Sequence, residues 1–205
     1  MALSLSLPEN PHMHEEAKAR ATIIFQHIES YLHGRIGVTQ SAQDILTAFY
    51  QDVESFTSRE HPGGSVEGHL SVLWMTILAV AIQLPTVEQG HQNQQSHSHM
   101  QRLVELLLVI KSHQLPTNIS PAAMKILRDF ESQWGQCFWV DLPVFGMMVH
   151  DTQECDPALA DVMVEIQGHL VPVNQGANLY SLSEWASLKK FLRLCKDMGV
   201  MDLLL

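Results

Sequence analysis

LSVLWMTILAVAIQL, running from Leu70 to Leu84, is apolar at every position except Ser71, Thr76 and Gln83. Wound as a helix it offers water no face, so other elements have to surround it. At fifteen residues it falls short of the roughly 20 that a helix needs to cross a bilayer, and Pro85 stops it. The stretch is therefore expected to be the buried central helix of an all-α protein, with no membrane span.

Working outward on the upstream side, the turn His61-Pro62-Gly63-Gly64-Ser65 leads into this helix. Before it, Ser41 to Phe56 places Ile45, Phe49, Val53 and Phe56 on one stripe and directs Gln43, Asp44, Gln51 and Asp52 to solvent. From His14 to Leu32, Ala17, Ala21, Ile24, Ile28, Tyr31 and Leu32 recur at helical steps, with Glu15 and Glu16 suiting the dipole of the first turn and Gly34 closing the helix. Residues 1–13 alternate leucine with serine and are interrupted by Pro8; they lack the basic n-region of a secretory signal and the arginines of a transit peptide. They are expected to be a flexible lead-in to one helical domain, residues 14–205.

Downstream, TVEQGHQNQQSHSHMQ (residues 86–101) is polar and without apolar periodicity, which predicts an exposed loop. Met100 to His113 carries Leu103, Leu106, Leu107 and Ile110 toward the central helix. Ser120-Pro121 is an N-cap followed by proline at the first helical position, and Asp156-Pro157 repeats the signal. A short helix is expected from Pro143 to Val149. Ser181 with Glu184 forms a capping box for a last helix that stops at Gly199. No alternating β-branched run occurs, and the sum is a single-domain bundle of seven or eight helices around a buried central helix.

A formal charge of -10 over 205 residues argues against a nucleic-acid groove and an anionic membrane surface, both of which need clustered Lys and Arg. Charged residues make up 17%, below the usual quarter, so either the interior is large or apolar surface is left over. Cys137, Cys155 and Cys195 match no metal-binding spacing, and three cannot form a closed disulfide set. A reducing, cytoplasmic setting fits.

Trp139-Val140-Asp141-Leu142-Pro143-Val144-Phe145-Gly146, followed about forty residues later by Trp185-Ala186-Ser187-Leu188-Lys189-Lys190-Phe191-Leu192, resembles a fungal helical family catalogued as domain of unknown function 3632. Its members carry W-x-D-L-P-x-F-G and W-x-x-L-x-x-F-L patterns, and the likeness extends from about His14 onward. Where the family pattern has basic and Trp-Asn residues after Phe-Gly, this chain has Met147, Met148, Val149, His150, Asp151, Thr152 and Gln153; Arg193 corresponds loosely to an arginine near the second motif. The resemblance implies a fungal source and a helical fold, and it supplies no catalytic residues.

Several side-chain groups suggest chemistry, each with a plainer alternative. His91, His97 and His99 supply imidazoles for zinc or copper, but no carboxylate or thiol pattern surrounds them and a solvated loop explains them as well. Asp141 and His150 suggest a general base held by a carboxylate; Asp141 serves equally as a helix cap beside Pro143. Cys137 is read as a small buried hydrophobe. Trp74, Trp134, Phe138, Trp139, Phe145, Met147, Met148 and Trp185 are the candidate walls of one apolar, substrate-binding cavity, against the alternative of ordinary core packing. No phosphate loop, nucleophile elbow, zinc helix or dinucleotide fingerprint is present, so no cofactor or metal is expected.

The function expected on this basis is cofactor-independent catalysis in fungal secondary metabolism. The protein would fold an apolar polyketide or terpenoid for cyclisation or isomerisation, including a pericyclic [4+2] closure. The alternative is a non-catalytic helical interaction module or apolar-ligand carrier, in which the apolar surplus forms a homodimer or partner interface.

Overall fold

The computed structural model describes residues 3–7, 14–57, 65–85, 94–134, 139 and 182–200. Among them are six α-helices and no strand: α1 Glu15–Leu32, α2 Val38–Thr57, α3 Val66–Gln83, α4 Gln94–Lys111, α5 Pro121–Trp134 and α6 Leu182–Asp197. The all-α class stands with six helices in place of seven or eight; the helices expected at Pro143 and Pro157 lie outside the described residues.

The apolar run sets the arrangement. α3 packs against α1, α2, α5 and α6, and buried positions occur on every side of it, from Val66, His69 and Leu70 through Trp74 and Ile77 to Val80 and Ala81. Its one buried hydroxyl, Thr76, donates to the Val72 carbonyl at 2.7 Å, so that hydroxyl enters the core with its donor satisfied. At 18 residues, α3 is longer than the apolar run and passes a length and composition test for crossing a membrane, yet 67% of it is enclosed by the other helices. The low charge content is absorbed the same way: among the described residues Ile23 is the sole exposed large hydrophobe.

Local signals hold at the helix ends. Ser65 Oγ accepts from Gly68 N at 3.0 Å, and Ser120 Oγ accepts from Ala123 N at 3.1 Å. Gly34 and Gly199 both have φ of +75°, a left-handed conformation that a Cβ would strain. Each closes its helix with paired bonds: Gly34 N to Tyr31 O and Arg35 N to Ser30 O after α1, Gly199 N to Lys196 O and Val200 N to Cys195 O after α6.

Two cations on α4 complete those ends. Arg102 donates to the Leu32 carbonyl at 3.0 Å and to the Tyr31 carbonyl, with its guanidinium 4.5 Å from the Tyr31 ring centre. Lys111 donates to the Gly199 and Val200 carbonyls at 2.9 and 3.2 Å. Positive charge is thus placed at the negative ends of α1 and α6, from the middle and the last residue of one helix.

One tract departs from expectation. The tract read as a loop is helical from Gln94 onward, because extending a formed helix adds a hydrogen bond per residue without a new nucleus. Residues 3–7 form neither helix nor strand, and Leu3, Leu5 and Leu7 pack against the core.

Arg102→Ala removes two carbonyl partners and a ring contact, and should cost about 2 kcal/mol, lowering the melting temperature by roughly 4–8 °C. Lys125→Ala, which breaks only the exposed pair with Asp129, should stay within about 0.5 kcal/mol. Equal melting curves for wild type and the Arg102 variant would refute the clamp.

Candidate functional site

α2 carries the residues around which polar groups gather. Phe49 and Tyr50 are buried neighbours on it, and Trp139 lies against both. The indole is edge-on to Phe49, with centres 5.2 Å apart at 73°, and edge-on to Tyr50 at 6.2 Å and 86°. Trp139 Nε1–H donates to Tyr50 Oη at 2.6 Å. The His113 ring, half-buried just past the end of α4, lies 6.1 Å from the Tyr50 ring at a tilt of 35°.

Burial dominates the electrostatics of this cluster. It pushes the Tyr50 phenol well up, against the lowering effect of the Trp139 bond and with a small upward push from Glu131. It pushes the His113 imidazole down. At neutral pH the phenol therefore keeps its proton and the imidazole is uncharged. With the indole N–H given to the phenol oxygen, a hydroxyl donor and a neutral base share an aromatic setting. Such a set can polarise a carbonyl and move a proton.

A second cluster joins α1, α2 and α3. His69 Nδ1 lies 3.2 Å from Asp52 Oδ2, and Arg20 Nε donates to the same oxygen. His69 is 3% exposed. Burial raises the Asp52 carboxyl, but hydrogen bonds from His69 and Arg20 and their charges outweigh it, and its net position is below the usual carboxylate range. Arg20, His69 and Phe49, with Ile24, Ile45, Ala48 and Leu73, line a cavity of about 10 Å³, room for one water. A water-sized space does not admit an organic substrate, so this cluster is an ion-paired clamp between three helices. The Asp52 assigned to solvent from the α2 pattern is instead half-buried, because its partners come from other helices.

Of the expected site residues, Trp74 is fully buried on α3 and Trp139 is buried against α2. Trp134 lies on α5 and Trp185 on α6, their side chains outside the described set. Phe138, Asp141, Phe145, Met147, Met148 and His150 lie outside the described residues, as do Cys137 and His91. His97 is on α4 without a described side chain; the half-buried His99 has its imidazole lowered by burial, then by Arg102 and His33. Among the described residues no three His, Cys, Asp or Glu side chains converge as a metal site. Cys195 is a free, buried thiol that burial pushes up, which leaves it protonated and unreactive. Tyr50 and His113 carry no motif in the sequence; a tyrosine next to Phe49 of the α2 stripe is the available signal.

A family model described as Protein of unknown function (DUF3632) matches residues 74–203, more than half of the chain and including Trp139 and all of α4, α5 and α6. No curated protein and no solved structure matches.

The Asp52 pairing has a defined pH signature. Its carboxyl is depressed by folding, so its contribution is present above the unfolded value, about 3.9, and is lost as pH falls through the lower folded value. At pH 7 Asp52→Asn should cost on the order of 2 kcal/mol, between the exposed and buried extremes for such pairs. Urea midpoints of the two proteins should converge between about pH 5 and 2. A gap that stays constant with pH would contradict the pairing.

Proposed function

The chain belongs to the DUF3632 family, and from that premise we propose that it is a cofactor-independent catalyst that holds an apolar polyketide or terpenoid and promotes its cyclisation or isomerisation. One observation supports this: a protonated phenol, Tyr50, stands between Trp139, the residue that opens the W-x-D-L-P-x-F-G motif, and the neutral imidazole of His113, each of which contacts the phenol ring. Tyr50 accepts the indole N–H and retains its own O–H, which that bond makes a stronger donor toward a substrate carbonyl. His113, at the partly exposed edge, takes a proton α to that carbonyl and returns it further along the conjugated chain, so the double bond shifts without net redox change.

A [4+2] closure needs less, since one donor at the carbonyl and an aromatic wall that aligns the two ends suffice; orientation alone supplies on the order of 7–11 kcal/mol in the best intramolecular cases. Asp141 and His150 follow Trp139 in the chain and are proposed as further polar groups of the same site. A fungal pathway and a cytoplasmic location complete the proposal.

The interaction-module alternative draws support from the water-sized cavity between α1, α2 and α3, which is what a packed scaffold leaves. A broad apolar dimer face is disfavoured on the described surface, where Ile23 alone is large, apolar and exposed.

Liquid chromatography with mass spectrometry of the source organism, with and without the gene, separates the two. Loss of one product with accumulation of an isomer of equal mass supports catalysis. On that isomer the purified Tyr50→Phe and His113→Gln proteins should each turn over roughly 10²–10⁴-fold more slowly than wild type. An unchanged metabolite profile with the gene expressed would sink the catalyst and leave the interaction module.

A further inference from the structure

Residues 3–7, Leu-Ser-Leu-Ser-Leu, are held by a single side chain that reads backbone. Gln83, the last residue of α3, accepts the Ser6 N–H on Oε1 at 2.9 Å and donates from Nε2 to the Ser6 carbonyl at 2.8 Å. The same Nε2 donates to the Ala79 carbonyl at 2.6 Å, which sets the amide before anything binds to it. Ser6 Oγ adds a longer contact at 3.4 Å. In an extended chain alternate side chains share a face, and here Leu3, Leu5 and Leu7 turn inward to the core while Ser4 and Ser6 are exposed.

These are the two components of extended-peptide recognition: main-chain bonds that give affinity regardless of sequence, and apolar ground for every second side chain that gives specificity. The contacts are also few. One residue is read through its backbone, and the three leucines are only partly buried, so the segment is held lightly compared with any helix.

We propose that the surface around Gln83 is a recognition site for an extended Leu-x-Leu-x-Leu segment of a partner protein, occupied in this chain by residues 3–7 as an internal competitor. The occupant defines the ligand: leucines at alternate positions, small polar residues between them, and a free backbone N–H and carbonyl at the residue after the central leucine. Residues 8–13 are all that separates the segment from the start of α1 and its cap. A tether of that length holds it at an effective concentration in the millimolar range, so a free segment competes only when the internal copy is weakened or displaced.

The test uses full-length protein and a fluorescein-labelled synthetic peptide, ALSLSLP, copied from residues 2–8. In the triple variant Leu3→Ser, Leu5→Ser, Leu7→Ser the site is vacated, and fluorescence anisotropy should show saturable binding at least about tenfold tighter than to wild type. Adding Gln83→Ala should weaken that binding about tenfold, the effect of losing the backbone reader. Ser6→Pro removes the N–H that Gln83 accepts and leaves all three leucines; it should shift peptide binding in the same direction as the triple variant, which covers the case in which the triple variant melts early. No binding to either variant at millimolar peptide would overturn the proposal. So would equal binding to wild type and both variants, or binding indifferent to Gln83.

Discussion

A helix with no polar face must be covered on all sides, and that requirement on α3 governs the rest of the molecule. Four helices contact it, and its buried positions include a fully enclosed tryptophan, Trp74. Burial of this kind contributes roughly 1.5–3 kcal/mol for each large apolar side chain, and truncating one in a packed core costs about 2–5. The covering helices consequently carry narrower apolar stripes and turn their polar faces outward. This also explains how a chain with so few charged residues avoids a sticky described surface: the apolar surplus is used inside.

Enclosing such a helix leaves the ends of its neighbours to be satisfied, and α4 does this at two places. Arg102 reaches the last carbonyls of α1 and Lys111 those of the turn that closes α6, which ties those helices together through charge and hydrogen bonds as well as packing. The Arg20–Asp52–His69 group plays a comparable part among α1, α2 and α3. Each of these polar contacts bridges elements that the hydrophobic effect alone would bring together without a defined register, since burial is non-directional.

What could be read beforehand divides along local and long-range lines. The central helix, the Ser120 cap and the stops at Gly34 and Gly199 depend on a few adjacent residues, and the chain displays them openly. The first turns of α4 were hidden because Gln and His carry no apolar period. The half-buried position of Asp52 is not legible in its own helix because its partners lie 32 and 17 residues away, and a helical wheel contains no information about another helix. Trp139 is legible as an aromatic wall, yet its partner Tyr50 is 89 residues distant and lies off the stripe of Ile45, Phe49, Val53 and Phe56 that marks the inner face of α2. Six of the other expected site residues, from Phe138 to His150, fall outside the described residues.

The proposed chemistry is built on that same scaffold, since Tyr50 and Phe49 stand on α2 and α2 packs on α3. Hydrogen–deuterium exchange on the full chain, purified without detergent, tests the central claim that α3 is enclosed by protein. Its amides should be among the slowest to exchange and should open only with global unfolding, in step with the middle of α2 and α4. Fast exchange of α3 in aqueous buffer, or protection that appears only when lipid or detergent is added, would contradict the account.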